Sequence, residues 1–371
     1  MKLRHFRARR TAHLALVAVV TAAPAALAQG GRVNVYGTLN LDVEAVRGKQ
    51  PDGSNPTTFR VSSNSSAIGL RGAEALGGGM SAFFQLEYSV GMDDGANQNL
   101  PYRDSFLGLA GDWGSVQFGY FLAPYDDVSV LFGSVPTYLT SILSTSALWS
   151  QGAQPKINGG FDARLPNSIR YDSPIVNGFS GSVQVSLGER SNPSQRGGHT
   201  VSLAGFYSSG PLEVGVGYER NDEVRASFQN DYALSLAGTW DFGPARLGAV
   251  YERLNYETPS GNLTRNFWGV SSTVALGPSG TFYAFFGSAG NGGGDAETGT
   301  RVGSLARGPD SGAWQAMVSY TYRLSKRTMV YTGYNTIGND ANATYNFYVN
   351  RYTVAVGANP NGFVLGTAHS F

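Results

Sequence analysis

The chain has 371 residues, a formal net charge of +1 at pH 7 and no cysteine. The lack of cysteine excludes disulfide bonds and thiolate metal sites. Glycine (50 residues) and aromatic residues (12%) are abundant, charged residues make up only 14%, and no linker-like change in composition divides the chain, so the sequence predicts one architecture rather than two soluble domains.

The first 28 residues have the pattern of a secretory signal peptide. Five basic residues precede a short apolar segment, and Ala26-Leu27-Ala28 fits a small-x-small cleavage site. The alternative, an N-terminal membrane anchor, would need a longer apolar run to cross a bilayer core of about 30 Å. Cleavage would leave a mature domain of residues 29–371 with 22 Lys and Arg against 26 Asp and Glu. This balance excludes a basic nucleic-acid surface.

From Arg32 onward, apolar and polar residues alternate with the period of two that is typical of β-strands. In the first segment Val35, Leu39 and Leu41 share one face, and Asn40 and Asp42 share the other. The alternating segments, several of which contain a turn, are 32–44, 67–90, 103–120, 167–174, 181–189, 200–219, 231–256, 267–287, 313–335 and 363–371. They amount to about sixteen strands.

The connections alternate between short turns and longer polar loops. The longer ones are 47–57, 188–198, 257–264, 290–309 and 338–362. Short turns on one rim, long loops on the other and an even strand count are typical of a transmembrane β-barrel. A soluble β-sandwich has the same periodicity. Aromatic residues near the strand ends and the signal peptide favour the membrane barrel.

The longest insertion between predicted strands is 121–164, and it is unusually apolar for a surface loop. Its large apolar residues are Leu131, Phe132, Tyr138, Leu139, Ile142, Leu143, Leu148 and Trp149. A loop of this length is usually functional or disordered, and the composition argues against disorder. We therefore expect the loop to fold inward, pack against a wall and narrow a passage.

Several motifs together resemble those of the general diffusion porins of Gram-negative outer membranes. They are VYGTLNL (35–41), RGAEALGGGMSAFFQLE (71–87), RDSFLGLAGDWGSVQFGY (103–120), PNSIRYDSP (166–174), YRLSKRTMVY (322–331) and a terminal strand ending in Phe371. The resemblance implies an all-β, transmembrane antiparallel β-barrel of about 16 strands with its third loop, here 121–164, folded into the lumen. It also implies a homotrimer in outer-membrane lipid through which small ions and hydrophilic solutes diffuse passively.

The resemblance further implies an outer-membrane assembly signal at the C-terminus. Its residues would be Phe371, with Leu365 and Phe363 at alternate upstream positions. His369 has the same outward parity, so an assembly role is expected for it as well.

If the apolar face contacts lipid, the opposite parity lines the lumen. Glu87 then points inward, as does Arg170, because Ile169 and Tyr171 have the opposite parity. Arg164 is expected to point inward on the same strand.

Arg103 shares its parity with Ser105, opposite to Phe106, and is therefore expected to enter the lumen. The long loop adds Asp126 and Asp127. The resemblance implies a pore constriction of wall arginines that face loop carboxylates, comprising Glu87, Arg103, Arg164, Arg170, Asp126 and Asp127. Rings of charge select ions by sign, and arginine stays protonated. Alternatively, the arginines only brace neighbouring carboxylates, and the two aspartates cap a short helix.

The sign of the selectivity stays open, because Ala67 and Tyr120 stand where relatives carry arginine. The alternative function is a substrate-specific channel for sugars or organic anions, in which Tyr125, Tyr138 and Trp149 follow the solute path; these aromatic residues would otherwise only pack the loop.

The sequence offers no support for an enzyme. Two of its four histidines fall within residues 1–28, and neither His199 nor His369 lies beside a nucleophile motif. We therefore expect no catalytic residues, no metal site and no cofactor.

Overall fold

The alternating segments form one antiparallel sheet. The computed structural model describes residues 33–94, 103–133, 141–152, 160–188 and 198–371. The strands of the sheet are β1 (Asn34–Arg47), β2 (Thr57–Ser63), β3 (Ala67–Gly77), β4 (Met80–Ser89), β5 (Ser105–Gly111), β6 (Gly114–Leu122), β7 (Arg164–Asp172), β8 (Phe179–Ser186), β9 (His199–Ser209), β10 (Leu212–Asp222), β11 (Asn230–Asp241), β12 (Ala245–Thr258), β13 (Gly261–Leu276), β14 (Gly280–Ala289), β17 (Ala313–Arg323), β18 (Thr328–Asn339) and β19 (Asn361–Ser370). A separate hairpin, β15 (Arg301–Val302) and β16 (Leu305–Ala306), lies between β14 and β17.

The sheet closes on itself because its last strand pairs with its first. The β1–β19 ladder runs from the pair Thr38–Ser370 to the pair Arg47–Asn361. β2 and β3 both pair with β1 and form two parts of one barrel strand, so the barrel has sixteen strands. The predicted fold class is thereby confirmed. The first and last strands thus pair with each other, as a sheet in lipid requires.

The two faces of the wall differ in composition as the alternation predicted. On β11, Tyr232, Leu234 and Leu236 are exposed on the outer face, whereas Ser235 and Thr239 are buried on the inner face. An apolar outer face and a polar inner face are the arrangement of a membrane barrel. Among the described residues, no helix is long and apolar enough to cross a membrane. The predicted signal peptide lies outside the described residues.

The predicted loop at 257–264 is wrong. β12 and β13 continue into it and pair with each other as far as Thr258 and Gly261, which leaves Pro259 and Ser260 as the turn. The Thr258 hydroxyl donates to the Gly261 carbonyl at 2.6 Å. Gly261 has a φ of 120°, a conformation that a residue with a side chain rarely adopts.

The outward orientation assumed for Phe106 is also wrong. Leu107 and Leu109 are the exposed side chains of β5, and Phe106 lies on the opposite face, where its ring contacts those of Phe83 and Phe121 at centroid distances of 5.9 Å. Arg103 precedes the first residue of the strand, so strand parity does not fix its direction.

The described parts of the long connection between β6 and β7 contain little regular structure. They comprise a one-turn helix, α1 (Pro124–Asp127), and 3-10 turns at Val128–Leu131 and Thr145–Ala147. Its apolar residues are almost completely buried; Ile142, Leu143, Leu148 and Trp149 have no exposed surface.

Candidate functional site

Arg103 and Glu87 form the first charged pair on the inner side of the wall. Arg103 Nε lies 2.5 Å from Glu87 Oε1, and the Arg103 backbone N–H donates to the Glu87 carbonyl at 2.9 Å. The Tyr36 hydroxyl donates to Glu87 Oε2 at 2.8 Å. Arg103 Nε and the Tyr36 hydroxyl thus each contact one oxygen of the Glu87 carboxylate. The side chains of Arg103 and Glu87 stay partly exposed, at 23% and 14%.

Arg170 connects the wall to the long connection. Its Nη2 lies 2.6 Å from Asp127 Oδ2 in α1, and its Nε lies 2.9 Å from Asp172 Oδ1 on the same strand. Arg170 Nη1 donates to the Leu122 carbonyl at 3.2 Å. The guanidinium therefore contacts one carboxylate of the connection and one of the wall, as charge-assisted pairing with arginine favours.

Arg164 has a carboxylate partner of its own. Its Nε lies 2.6 Å from Asp104 Oδ1, and it is close enough to Asp126 and Glu87 to interact with both electrostatically. Asp104 was not among the predicted site residues. Its only signal in the sequence is its place next to Arg103, just before a strand begins.

Asp126 has a different environment from Asp127. Burial raises the pKa of Asp126 well above its ordinary value, and the nearby carboxylates of Asp162 and Asp127 raise this pKa further. The Asp127 side chain is 31% exposed and bonded to Arg170, which is the more favourable setting for a charge. The capping hypothesis is wrong. Ala123 is the N-cap of α1 and Asp127 is the N-cap of the following 3-10 turn, and neither makes a side-chain cap hydrogen bond.

Another charged pair, which sequence reasoning missed, lies beneath the long connection. The carboxylate of Glu252 on β12 contacts the guanidinium of Arg265 on β13, and neither side chain has exposed surface. Glu252 Oε1 accepts hydrogen bonds from the Tyr125 hydroxyl at 2.6 Å and from the Ser150 backbone N–H at 2.8 Å. Arg265 also donates to the Leu148 carbonyl. The pair thus holds three residues of the connection.

Other wall side chains hold the connection by its backbone or side chains. The contacts are Trp149 Nε1 to Ser235 Oγ (3.2 Å), the Tyr283 hydroxyl to the Phe132 carbonyl (2.6 Å), Gln315 Nε2 to the Ser144 carbonyl (2.8 Å) and Asn335 Nδ2 to the Ile142 carbonyl. Strand parity could have marked these wall residues as inward-facing, but their partners could not be derived from it.

The aromatic residues proposed to follow a solute path are differently placed. Tyr125 and Trp149 have no exposed surface, and their rings stack at a centroid distance of 5.3 Å and an angle of 7°. Both pack the connection against the wall, so neither can contact a passing solute. Tyr138 lies outside the described residues.

Ala67 and Tyr120, the two residues that stand where relatives carry arginine, lie on opposite faces of the wall. Ala67 is 7% exposed and pairs with Ser89 on the inner face. Tyr120 shares the parity of Phe118, which is 50% exposed on the outer face. The expectation that Tyr120 removes a charge from the constriction is therefore wrong, whereas Ala67 remains an inward position without charge.

The two histidines among the described residues, His199 and His369, form no catalytic arrangement. His199 Nε2 lies 3.1 Å from Asp222 Oδ2 with half of its side chain exposed, and His369 Nδ1 lies 2.8 Å from the Thr328 hydroxyl. In the part of the chain that the structure describes, no group of three or more ligating side chains could hold a metal ion.

The four C-terminal residues predicted as an assembly signal share the outer face of β19 and its end. Phe363, Leu365, His369 and Phe371 are all exposed, and they alternate with buried residues. The Phe371 backbone pairs with Gly37 through hydrogen bonds of 3.0 and 3.2 Å.

Comparison with known proteins decides the family. The sequence matches the Gram-negative porin family over residues 15–342. The chain belongs to the Gram-negative porin family.

Curated relatives of this porin include the major outer membrane protein P.IA of Neisseria meningitidis serogroup C, which is 34% identical over 128 residues, or 34% of this chain and 29% of that protein. The major outer membrane protein P.IB of serogroup A is 29% identical over 202 residues, or 52% of this chain and 55% of that protein. The matches thus span from about a third to about half of these relatives.

The barrel of this porin resembles solved structures over nearly its whole length. The anion-selective porin from Comamonas acidovorans superposes with a TM-score of 0.76 at 22% identity and covers 92% of this chain and 100% of its own. The fold and family place the protein in the outer membrane, which its strands cross many times. The family also agrees with the prediction that the protein is not an enzyme.

Proposed function

We propose that this porin forms a water-filled channel for the passive diffusion of ions and small hydrophilic solutes. The observation that carries the proposal is the closed sixteen-stranded barrel with an apolar outer face and a charged inner face. A barrel of this size holds an aqueous channel, and its lining sets the selectivity.

Within this channel, the segment 121–164 constricts the pore and the wall arginines facing its carboxylates set the selectivity. The contacts from Arg170 to Asp127 and from Glu252 to Tyr125 support this proposal, because they attach the segment to the inner wall. Each of Arg103, Arg164 and Arg170 has a carboxylate partner, so opposite charges largely cancel locally. The preference for one ion sign is accordingly weak.

The mature porin is a homotrimer in outer-membrane lipid, formed after removal of residues 1–28 and guided by the C-terminal signal around Phe371. Family membership supports these assignments. Cross-linking and light scattering of detergent extracts test the trimer; a stable monomer would contradict it.

The channel itself is tested in a planar bilayer. The purified protein is expected to give discrete conductance steps, a small zero-current potential across a salt gradient and passage of small sugars into liposomes. A folded barrel that inserts without conductance would contradict the proposed function.

A further inference from the structure

The connection between β18 and β19, residues 340–360, enters the barrel mouth instead of projecting from it. Tyr345 is 1% exposed and Phe347 has no exposed surface, although no residue of the segment belongs to a helix or strand. By contrast, the connection 223–229 on the same rim exposes Ser227 and Phe228. Aromatic burial of this kind indicates that the segment packs against other parts of the protein.

On one side, the segment contacts the inner wall at β1 and β2. Asn350 Nδ2 donates to Asn64 Oδ1 at 2.6 Å and to Glu44 Oε1 at 3.2 Å. Arg60, which contacts Glu44, also donates to the carbonyls of Asn350 and Arg351. Asn350 thus contacts three wall residues, Glu44 and Asn64 through its side chain and Arg60 through its backbone carbonyl.

These contacts lie below the rim. Glu44 is three residues from Arg47, the last residue of β1, which corresponds to about 10 Å of strand. Glu44 has no exposed surface, so the segment covers a charged inner-wall residue that would otherwise line the lumen.

On the other side, the segment reaches β13. The Tyr345 ring lies beside Arg265, with the guanidinium carbon 6.0 Å from the ring centre. Arg265 is four residues from the start of β13. β14, β17, β18 and β19 separate the two groups of wall contacts, so the segment extends across a large arc of the mouth.

The segment also contacts the long connection between β6 and β7. The Tyr348 hydroxyl is close enough to the Asp162 carboxylate to interact with it electrostatically. The Ser150 hydroxyl and the Gly160 backbone N–H donate to the same carboxylate at 3.0 and 3.2 Å. The two inward segments therefore support each other.

We propose that residues 340–360 form a second constriction of the channel, which determines the largest solute that passes and is held in the mouth by Asn350, Tyr345 and Tyr348. This inference rests on the proposed channel function. Its physical basis is that buried contacts on the wall and on the other inward segment fix the residues within the cross-section available to solutes.

The first experiment removes the segment. The Gly357 backbone N–H donates to the Ala343 carbonyl at 2.9 Å, so residues 344–356 can be replaced by two glycines without separating the strands. The matched control replaces residues 224–228 by two glycines, because Glu223 and Gln229 are likewise joined at 2.9 Å.

Removal of 344–356 is expected to raise the single-channel conductance and to admit larger sugars into liposomes, whereas the control keeps the wild-type values. A folded deletion variant with wild-type conductance and size limit would overturn the inference. If wild type itself failed to conduct, the channel function would fail instead, so the two failures are distinguishable.

The second experiment does not depend on the deletion variant folding. The chain has no cysteine, so Val349→Cys can be labelled specifically with thiol reagents of increasing size. Val349 is half-buried in the segment. The current is expected to fall as the label grows, and labelled Ser227→Cys is expected to conduct normally. An equal current before and after labelling of Val349→Cys would overturn the inference.

Discussion

At the residue scale, the charges of the proposed constriction occur as bonded pairs rather than as opposed rows. Arg103 is bonded to Glu87, and Arg170 to both Asp127 and Asp172. The electric field at the position of a passing ion is therefore the difference between the nearly equal contributions of the arginines and of their carboxylate partners. Removing one member of a pair changes this difference by a whole unit charge.

Arg103→Ala and Arg170→Ala are each expected to shift selectivity toward cations, and the double variant further. Two unit charges 4 Å apart interact by about 1 kcal/mol in water and about 4 kcal/mol at an effective dielectric constant of 20. We therefore expect a several-fold change in the permeability ratio at low salt. The shift should shrink in concentrated electrolyte, since the Debye length is about 10 Å at 0.1 M.

Zero-current potentials across a salt gradient measure this shift. Glu87→Gln should move the potential in the opposite direction, and Arg220→Ala, on the exposed face of β10, should leave it unchanged. Wild-type potentials for both arginine variants at low salt would mean that these residues only brace the wall.

Asp162 is expected to make stability depend on pH. Burial raises the pKa of its carboxyl from 3.8 to about 6, so the folded state keeps a proton that the unfolded state releases between these values. The free energy of unfolding therefore falls as the pH rises from about 4 to about 6 and then levels off. A difference of about two pKa units corresponds to roughly 3 kcal/mol.

Asp162→Asn should remove this contribution while keeping a side-chain oxygen that accepts the hydrogen bonds from Ser150 and Gly160. The measurement is the unfolding temperature in detergent between pH 4 and pH 7. Parallel pH profiles for wild type and variant would contradict the raised pKa.

At the element scale, the position of the connection between β6 and β7 depends on the buried pair of Glu252 and Arg265. Glu252→Ala would leave Arg265 buried without its carboxylate partner, which typically costs about 3–5 kcal/mol, and would remove the acceptor for Tyr125 and Ser150. We expect a higher and noisier single-channel current, because the connection is held less firmly.

The matched control for this prediction is Glu213→Ala. Its ion pair with Arg246 is more than one-third exposed on both sides, and pairs of this kind contribute about 0–1 kcal/mol. A quiet, wild-type current for Glu252→Ala would show that the other wall contacts suffice to hold the connection.

The strands could be predicted from sequence because period-two alternation reports directly which residues contact lipid. The same rule could not give the direction of Arg103, because this residue precedes its strand. It also missed the end of the β12–β13 hairpin, because 257–264 is paired although its composition is polar. The contacts of Glu252 with Tyr125 and Ser150, and those of Asn350 with Glu44 and Asn64, could not be derived from this rule, since the two partners of each contact lie far apart in sequence. Such pairings depend on how connections fold inside the barrel, which strand parity does not encode.

At the scale of the whole molecule, closure joins the two ends of the described chain. Phe371 and Gly37 exchange backbone hydrogen bonds beyond the last strand pair, and the Phe371 ring lies directly over Gly37, where an added Cβ would be 2.6 Å from the ring. Glycine at this position therefore lets the terminal ring approach the first strand closely.

Phe371→Ala separates the two roles of this residue, because it removes the ring and keeps the backbone hydrogen bonds. We expect the variant to refold in detergent nearly as well as wild type but to accumulate several-fold less in the outer membrane, if the ring is part of the assembly signal. Phe282→Ala, another exposed aromatic residue of the outer face, is the control and should assemble normally. Wild-type amounts of Phe371→Ala in the outer membrane would assign the residue to closure alone, since backbone pairing would then account for its whole contribution.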